Sequence, residues 1–154
     1  MTKHLLGGFL ALALAFGTAG SALAAGSSSS STPKSSAYDD GVAAVKSGDF
    51  KRAISLFQKV VAKDSRNADA WNWIGFSQRN LGHFDRSLAA YEKALAIDPG
   101  HRGALEYLGE LYLQTGKLDK ARAQLERLDK ACLLGCEEFD DLKKAIKRYA
   151  SNQG

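Results

Sequence analysis

ADAWNWIGFSQRNLGHFDRSLAAYEKALAIDPGH, Ala68 to His101, is the stretch whose reading decides the fold. Apolar and small residues recur at three- and four-residue spacing on both sides of a break at Gly82: Trp71, Ile74 and Gly75 before it, Phe84, Leu88, Tyr91 and Ala94 after it. That period lines one face of a helix, so the stretch predicts two antiparallel helices joined by a short turn. Gly82 supplies the left-handed residue that ends the first helix, and Asp98-Pro99 stops the second. Gly75 and Ala94 are small where the two helices must approach closely. Such a hairpin cannot bury its apolar faces alone, so neighbouring hairpins must stack against it.

The flanking sequence supplies them. One period earlier, Lys34 to Asn67 repeats the landmarks as Gly41, Gly48, Phe50, Ala53, Phe57, Val60 and Asp64, with Ser65 in place of the proline. One period later, Arg102 to Gly135 gives Leu108-Gly109, Tyr112, Gly116, Leu118, Ala121, Leu125 and Leu128. Glycine falls at two fixed places in all three copies, as Gly41, Gly75 and Gly109, then as Gly48, Gly82 and Gly116. Chance rarely keeps two glycines in register across three copies.

These residues resemble the tetratricopeptide repeat, a helical hairpin of about 34 residues with the pattern W-x2-L-G-x2-Y, then A-x3-F, then P. Gln78 stands where the pattern has Tyr, and Ser87 where it has Ala. The expected architecture is therefore all-α: a solenoid of three hairpins at about 34–67, 68–101 and 102–135, within a domain spanning 37–150. After the third copy the proline is replaced by Ala131-Cys132-Leu133-Leu134-Gly135-Cys136. The following segment, 137–150, places Phe139, Leu142, Ile146 and Tyr149 on one helical face. Glu137, Glu138, Asp140 and Asp141 fall in its first turn and Lys147 and Arg148 in its last, both favourable to the helix dipole. We expect it to close the end of the stack, apolar inward and charged outward.

Ahead of the repeats, residues 1–24 have the physics of an export signal. Lys3 and His4 precede an uncharged apolar run from Leu5 to Phe16, and Ala22-Leu23-Ala24 offers a small-x-small cleavage site. The apolar run is shorter than the ~20 residues that span a bilayer, so cleavage rather than retention as an anchor is expected. The predicted location is periplasmic or secreted, with no membrane insertion after cleavage. Residues 25–36, rich in serine, form a flexible linker. The net charge of +4 is mild, and no Lys/Arg run exceeds two residues. Nucleic acid is therefore not an expected partner.

Cys132 and Cys136 are the only cysteines. On an unbroken helix their Cβ atoms would lie ~6 Å apart, whereas a disulfide wants roughly 3.8 Å. Gly135 can break the helix between them. Two readings stand: a disulfide that fixes the turn in an oxidising compartment, or a thiol-based redox or soft-metal site. Cys-x2-Cys is the usual redox spacing, and no Met or His lies near in sequence to complete a ligand set. The structural reading is preferred, with no metal or other cofactor expected.

The resemblance also implies that the first helices of the hairpins line a concave groove. Carried over position by position, the groove residues are Tyr38 in the first copy, Asn72, Trp73, Phe76 and Arg79 in the second, and Glu106, Tyr107 and Glu110 in the third. Helical spacing groups 72 with 76, and 106 with 110, independently. One subfamily grips a peptide's terminal carboxylate with Lys, Asn and Arg; the corresponding places here hold Tyr38, Val42, Trp73, Gly103 and Tyr107, so that clamp is absent. What remains is an aromatic floor of Tyr38, Trp73, Phe76 and Tyr107, edged by Asn72, Arg79, Glu106 and Glu110. Aromatics and Arg dominate binding energy when desolvated, which points to a protein or peptide partner. Trp73 and Tyr107 could equally fill space between adjacent helices, and self-association is a further use of such a groove.

No enzyme site is assembled. His83 and His101 fall at turns away from any nucleophile, and the pairs Asp39-Asp40 and Asp140-Asp141 diverge on a helix. No phosphate-binding loop or metal-ligand spacing is present. The sequence thus predicts an exported repeat adaptor or scaffold that catalyses nothing, with a thiol-based redox or metal-handling factor as the alternative.

Overall fold

The computed structural model describes residues 36–152. The export signal and nearly all of the linker lie outside the described residues. Within them the chain forms seven helices and no strand: α1 (Ala37–Lys46), α2 (Phe50–Lys63), α3 (Ala68–Asn80), α4 (Phe84–Ile97), α5 (Arg102–Gln114), α6 (Leu118–Ala131) and α7 (Glu137–Ser151). Ser36, the last residue assigned to the linker, has a structural role. Its hydroxyl accepts from the Asp39 N–H while the Asp39 carboxylate accepts from the Ser36 N–H, a capping box that starts α1.

Each first helix ends in the same way. Gly48, Gly82 and Gly116 have φ of 76°, 76° and 73°. The residue after each donates its N–H five residues back, as in His83 to the Gln78 carbonyl at 2.9 Å and Lys117 to the Tyr112 carbonyl at 2.7 Å. This is the Schellman closure, and it reverses the chain into the second helix. Asn67 and His101 then cap α3 and α5, accepting from the N–H of Ala70 and of Ala104.

Consecutive helices pack as hairpins, and the hairpins stack as expected. The layers are unequal. Along the first-helix side the backbones of α1 and α3, of α3 and α5, and of α5 and α7 come within 8 Å of each other, whereas those of α2, α4 and α6 do not. Helices that crowd on one side and spread on the other curve the stack, with α1, α3, α5 and α7 on its inner side.

The fixed glycines sit where helices press together. A Cβ on Gly41 would fall 2.8 Å from the Phe57 ring, and one on Gly75 would fall 2.6 Å from the Tyr91 ring. Both rings are fully buried. The third hairpin departs from this scheme. Leu125 holds the position that corresponds to Tyr91, yet the atoms nearest Gly109 belong to Leu142 of α7. A leucine is too short to cover the glycine as an aromatic ring does, and the closing helix inserts its own. Leu142 is completely buried, with Phe139, Ile146 and Tyr149 packed around the same core.

The two departures from the repeat pattern are also satisfied. The buried Ser87 hydroxyl donates to the Gly75 carbonyl at 2.8 Å, tying the hairpin across its tightest point. Gln78 pairs its side-chain oxygen with His83 Nδ1 at 2.8 Å. Trp71 packs against both core clusters, and its indole N–H donates to the Ser65 carbonyl at 3.0 Å.

Candidate functional site

The inner side carries a run of aromatic rings. The Trp73 indole N–H donates to the Tyr38 hydroxyl at 3.2 Å. One face of Trp73 stacks on the buried Phe57, with centroids 6.3 Å apart and planes 14° from parallel. Trp73 meets Phe76 edge-on at 5.7 Å, and Phe76 meets Tyr107 at 5.0 Å. Tyr38, Trp73, Phe76 and Tyr107 are all half-buried. The two roles weighed for Trp73 and Tyr107 are therefore not exclusive: each packs against a neighbouring helix and keeps part of its ring at the surface. These contacts pre-set the ring orientations, which lowers the ordering cost of holding a ligand.

The polar residues lie deeper than an edge. Arg79 Nη2 meets Glu110 at 2.7 Å, with only 9% of the Arg79 side chain exposed. Its guanidinium also sits over the rings of Phe76 and Tyr107, at 5.5 and 5.7 Å. The sequence placed Arg79 and Glu110 on the rim. The structure locks them to each other and to the aromatic floor, because α3 and α5 approach closely enough to desolvate the pair. Asn72 and Glu106, also expected at the edge, are buried.

Two clefts open on this side. One, of about 320 Å³, lies between α3, α5 and α7 and is lined by Arg79, Glu110, Leu113, Gln114, Arg148 and Tyr149. The other, of about 400 Å³, is lined among others by Asn72, Trp73, Glu106, Tyr107 and Glu138. The sequence reading missed the part of α7, which gives Arg148 and Tyr149 to the first cleft and Glu138 to the second. Its signal was present: α7 begins about one repeat length beyond the start of α5, where a fourth first helix would stand.

Glu106 is electrostatically unusual. Burial pushes its carboxyl up to about 8, Glu110, Asp141 and Glu138 push the same way, and Arg79 opposes them. A carboxyl that holds its proton more tightly when folded contributes stability that is full below its unfolded pKa and lost as pH rises through its folded one. That window runs from the ordinary value of 4.5 to about 8. Glu106→Gln should therefore flatten the fall in Tm between pH 5 and 9 and raise Tm at pH 9 by roughly 3 °C or more. Superimposable Tm–pH curves for the two proteins would contradict it.

Cys132 and Cys136 stand at the α6–α7 turn, with Cα atoms 5.7 Å apart. Gly135, at φ 84°, turns the chain between them. That spacing is the one a disulfide requires. The two leucines between them, Leu133 and Leu134, project almost fully into solvent. Among the described residues no cluster of three or more His, Cys, Asp or Glu is grouped to hold a metal ion. No described helix is long and apolar enough to cross a membrane.

Stacked hairpins, glycine-closed turns and a ring-lined inner face define a helical-repeat solenoid. Two sequence models of the tetratricopeptide repeat match the chain, over residues 38–75 and 79–131, together more than half of it. The chain belongs to the tetratricopeptide repeat family. No curated protein matches it. Among solved structures, it is similar to PcrH in complex with the chaperone binding region of PopD, at 17% identity and TM-score 0.67, covering 77% of this chain and 91% of that one. The Sgt2 tetratricopeptide domain from Aspergillus fumigatus gives 19% identity and TM-score 0.68, covering 77% and 80%. The first such domain of Spaghetti (RPAP3), bound to the HSP90 peptide SRMEEVD, gives 20% identity and TM-score 0.65, covering 75% and 90%. At these identities the likeness establishes the shared fold.

Proposed function

We propose that this protein is an exported adaptor whose concave side holds an extended or helical peptide with apolar anchors, and that it carries out no catalysis. The observation that carries the reading is the continuous run of half-buried rings from Tyr38 through Trp73 and Phe76 to Tyr107. Rings fixed by their own contacts and open on one side are the groups that dominate binding when a partner desolvates them. PcrH bound to a segment of PopD and the RPAP3 domain bound to an HSP90 peptide support it, since both are this fold holding another polypeptide. The apolar, uncharged residues 5–16 and the Ala22-Leu23-Ala24 site support export to a periplasmic or secreted location.

A photo-reactive residue at position 73, used in the living cell and followed by mass spectrometry, tests this reading. One partner crosslinked from position 73 and absent from an outward control at Lys59 supports it. Equal labelling from both positions, or only a second copy of this chain from position 73, overturns it.

We further propose that Cys132 and Cys136 form a structural disulfide in that compartment, closing the turn that lacks the repeat's proline. Protein purified from the cell envelope without reductant should show no free thiol. Reduction should cost about 2 kcal/mol of stability, as expected for so short a loop. Reactive thiols or stoichiometric copper in that preparation would favour the thiol-based alternative.

A further inference from the structure

The cleft at the start of α3, α5 and α7 has features that a purely apolar groove does not need. Carboxyls from four places line it, Asp69, Asp98, Glu106 and Glu138, against Arg102 and His101. Most of these have local partners: His101 Nε2 meets Asp69 at 3.1 Å, Arg102 meets Glu138 at 3.7 Å, and Asp98 accepts from the Gly100 N–H at 3.0 Å. Glu106 is different. Its side chain is nine-tenths buried and lines the cleft, yet it takes no hydrogen bond from any described residue. Asn72, also more than nine-tenths buried and lining the same cleft, has a side-chain oxygen with no hydrogen-bond partner. A buried acceptor without a donor, as the Asn72 oxygen is, is costly unless a ligand supplies the donor, and the Glu106 carboxyl beside it on the cleft wall is likewise unpaired.

The walls fit the same ligand. Trp73 and Tyr107 both border this cleft, and aromatic faces attract a cation. We infer that this cleft is a receptor for one lysine or arginine side chain of the bound polypeptide, its cationic head donating to Glu106 and Asn72 between the rings of Trp73 and Tyr107. The inference rests on the groove reading above and adds a charge requirement to it. It also explains why acids gather where a closing helix needs only an apolar inner face. Glu138 and Asp141 of α7, like Glu110 on α5, deepen the negative field at Glu106 and Arg79 opposes it, while Arg102 and His101 on the same cleft are engaged with Glu138 and Asp69. An arriving cation would displace the proton that this field helps to hold, so capture should strengthen from pH 6.5 to 8.5.

Selection of random dodecamer peptides on the immobilised full chain, followed by affinity measurement on the strongest binder, tests the inference. The binder is expected to contain a Lys or Arg whose replacement by uncharged norleucine or citrulline weakens binding at least tenfold. Glu106→Gln should weaken the parent peptide by a similar factor, erase the difference between the paired peptides and flatten the pH dependence. Asp119→Asn on α6 should change none of these, and circular dichroism should show each variant folded. A binder that tolerates loss of its basic residue, or that binds Glu106→Gln as it binds the natural protein, overturns the inference. If that binder is still lost on Trp73→Ala/Tyr107→Ala, the groove reading survives. No selectable peptide at all overturns both.

Discussion

Leu142→Ala is expected to lower the unfolding free energy by about 3 kcal/mol and Tm by roughly 10–15 °C. The side chain is completely buried, and its branches are the nearest atoms to Gly109. Truncation removes apolar contact and leaves a cavity that the glycine opposite cannot fill. The neighbours cannot collapse into it either, because Leu105 and Leu108 are themselves packed on the same helix. The consequence extends beyond the local loss. A solenoid whose end is not sealed exposes the face meant for a next repeat, so the variant should also bind a hydrophobic dye and self-associate more than the natural protein at the same temperature. Thermal melts followed by circular dichroism and light scattering check both effects. A fall in Tm of only 1–2 °C would mean that α7 is not integral to the stack.

Gly75→Ala should destabilise by about 2 kcal/mol, and Tyr91→Ala by about 4 kcal/mol, for opposite reasons. The new methyl of Gly75→Ala would fall 2.6 Å from the Tyr91 ring, which is fully buried within the core cluster it shares with Ala94. Either the ring or the α3–α4 spacing must give way. The serine tie sharpens the cost, since Ser87 reaches the Gly75 carbonyl at 2.8 Å and any separation stretches it. In Tyr91→Ala the same place becomes a cavity. The double variant puts a methyl where the ring was, so its loss should be smaller than the sum of the two by at least about 1 kcal/mol, the signature of directly coupled sites. Urea titrations of the four proteins measure this. Additive losses would place the glycine and the ring out of contact.

Most of the fold was legible because its determinants are local or periodic. Gly48, Gly82 and Gly116 announce three identical turns, and Gly75 announces a close approach; that it meets the Tyr91 ring, as Gly41 meets Phe57, rather than the small Ala94 is seen only in the packed hairpin. The third close approach was not legible, since Leu142 reaches Gly109 from outside the repeat register. The aromatic residues of the inner side, Tyr38, Trp73, Phe76 and Tyr107, followed from the repeat resemblance carried over position by position; helical spacing by itself grouped only Phe76 with Asn72 and Glu106 with Glu110. The state of the polar ones was not. Whether Arg79 edges a groove or is locked to Glu110, and whether Asn72 and Glu106 are exposed or sunk, depends on the distance between adjacent hairpins, which no single helix encodes. Glu137, Glu138 and Asp140 do fall in the first turn of α7 and Arg148 in its last, where the dipole favours them, whereas Asp141 and Lys147 lie outside those turns because the helix runs on to Ser151. The effect of Glu138 and Asp141 on Glu106 exists only once α7 lies beside α5.

The most direct measurement is calorimetric: the segment crosslinked from position 73 is titrated into the natural protein and into Trp73→Ala/Tyr107→Ala. The account predicts unchanged far-UV circular dichroism and at least a 30-fold loss of affinity, about 2 kcal/mol, as befits two central aromatic anchors. Equal affinity for both proteins would show that the partner is held elsewhere and that the inner rings serve packing alone.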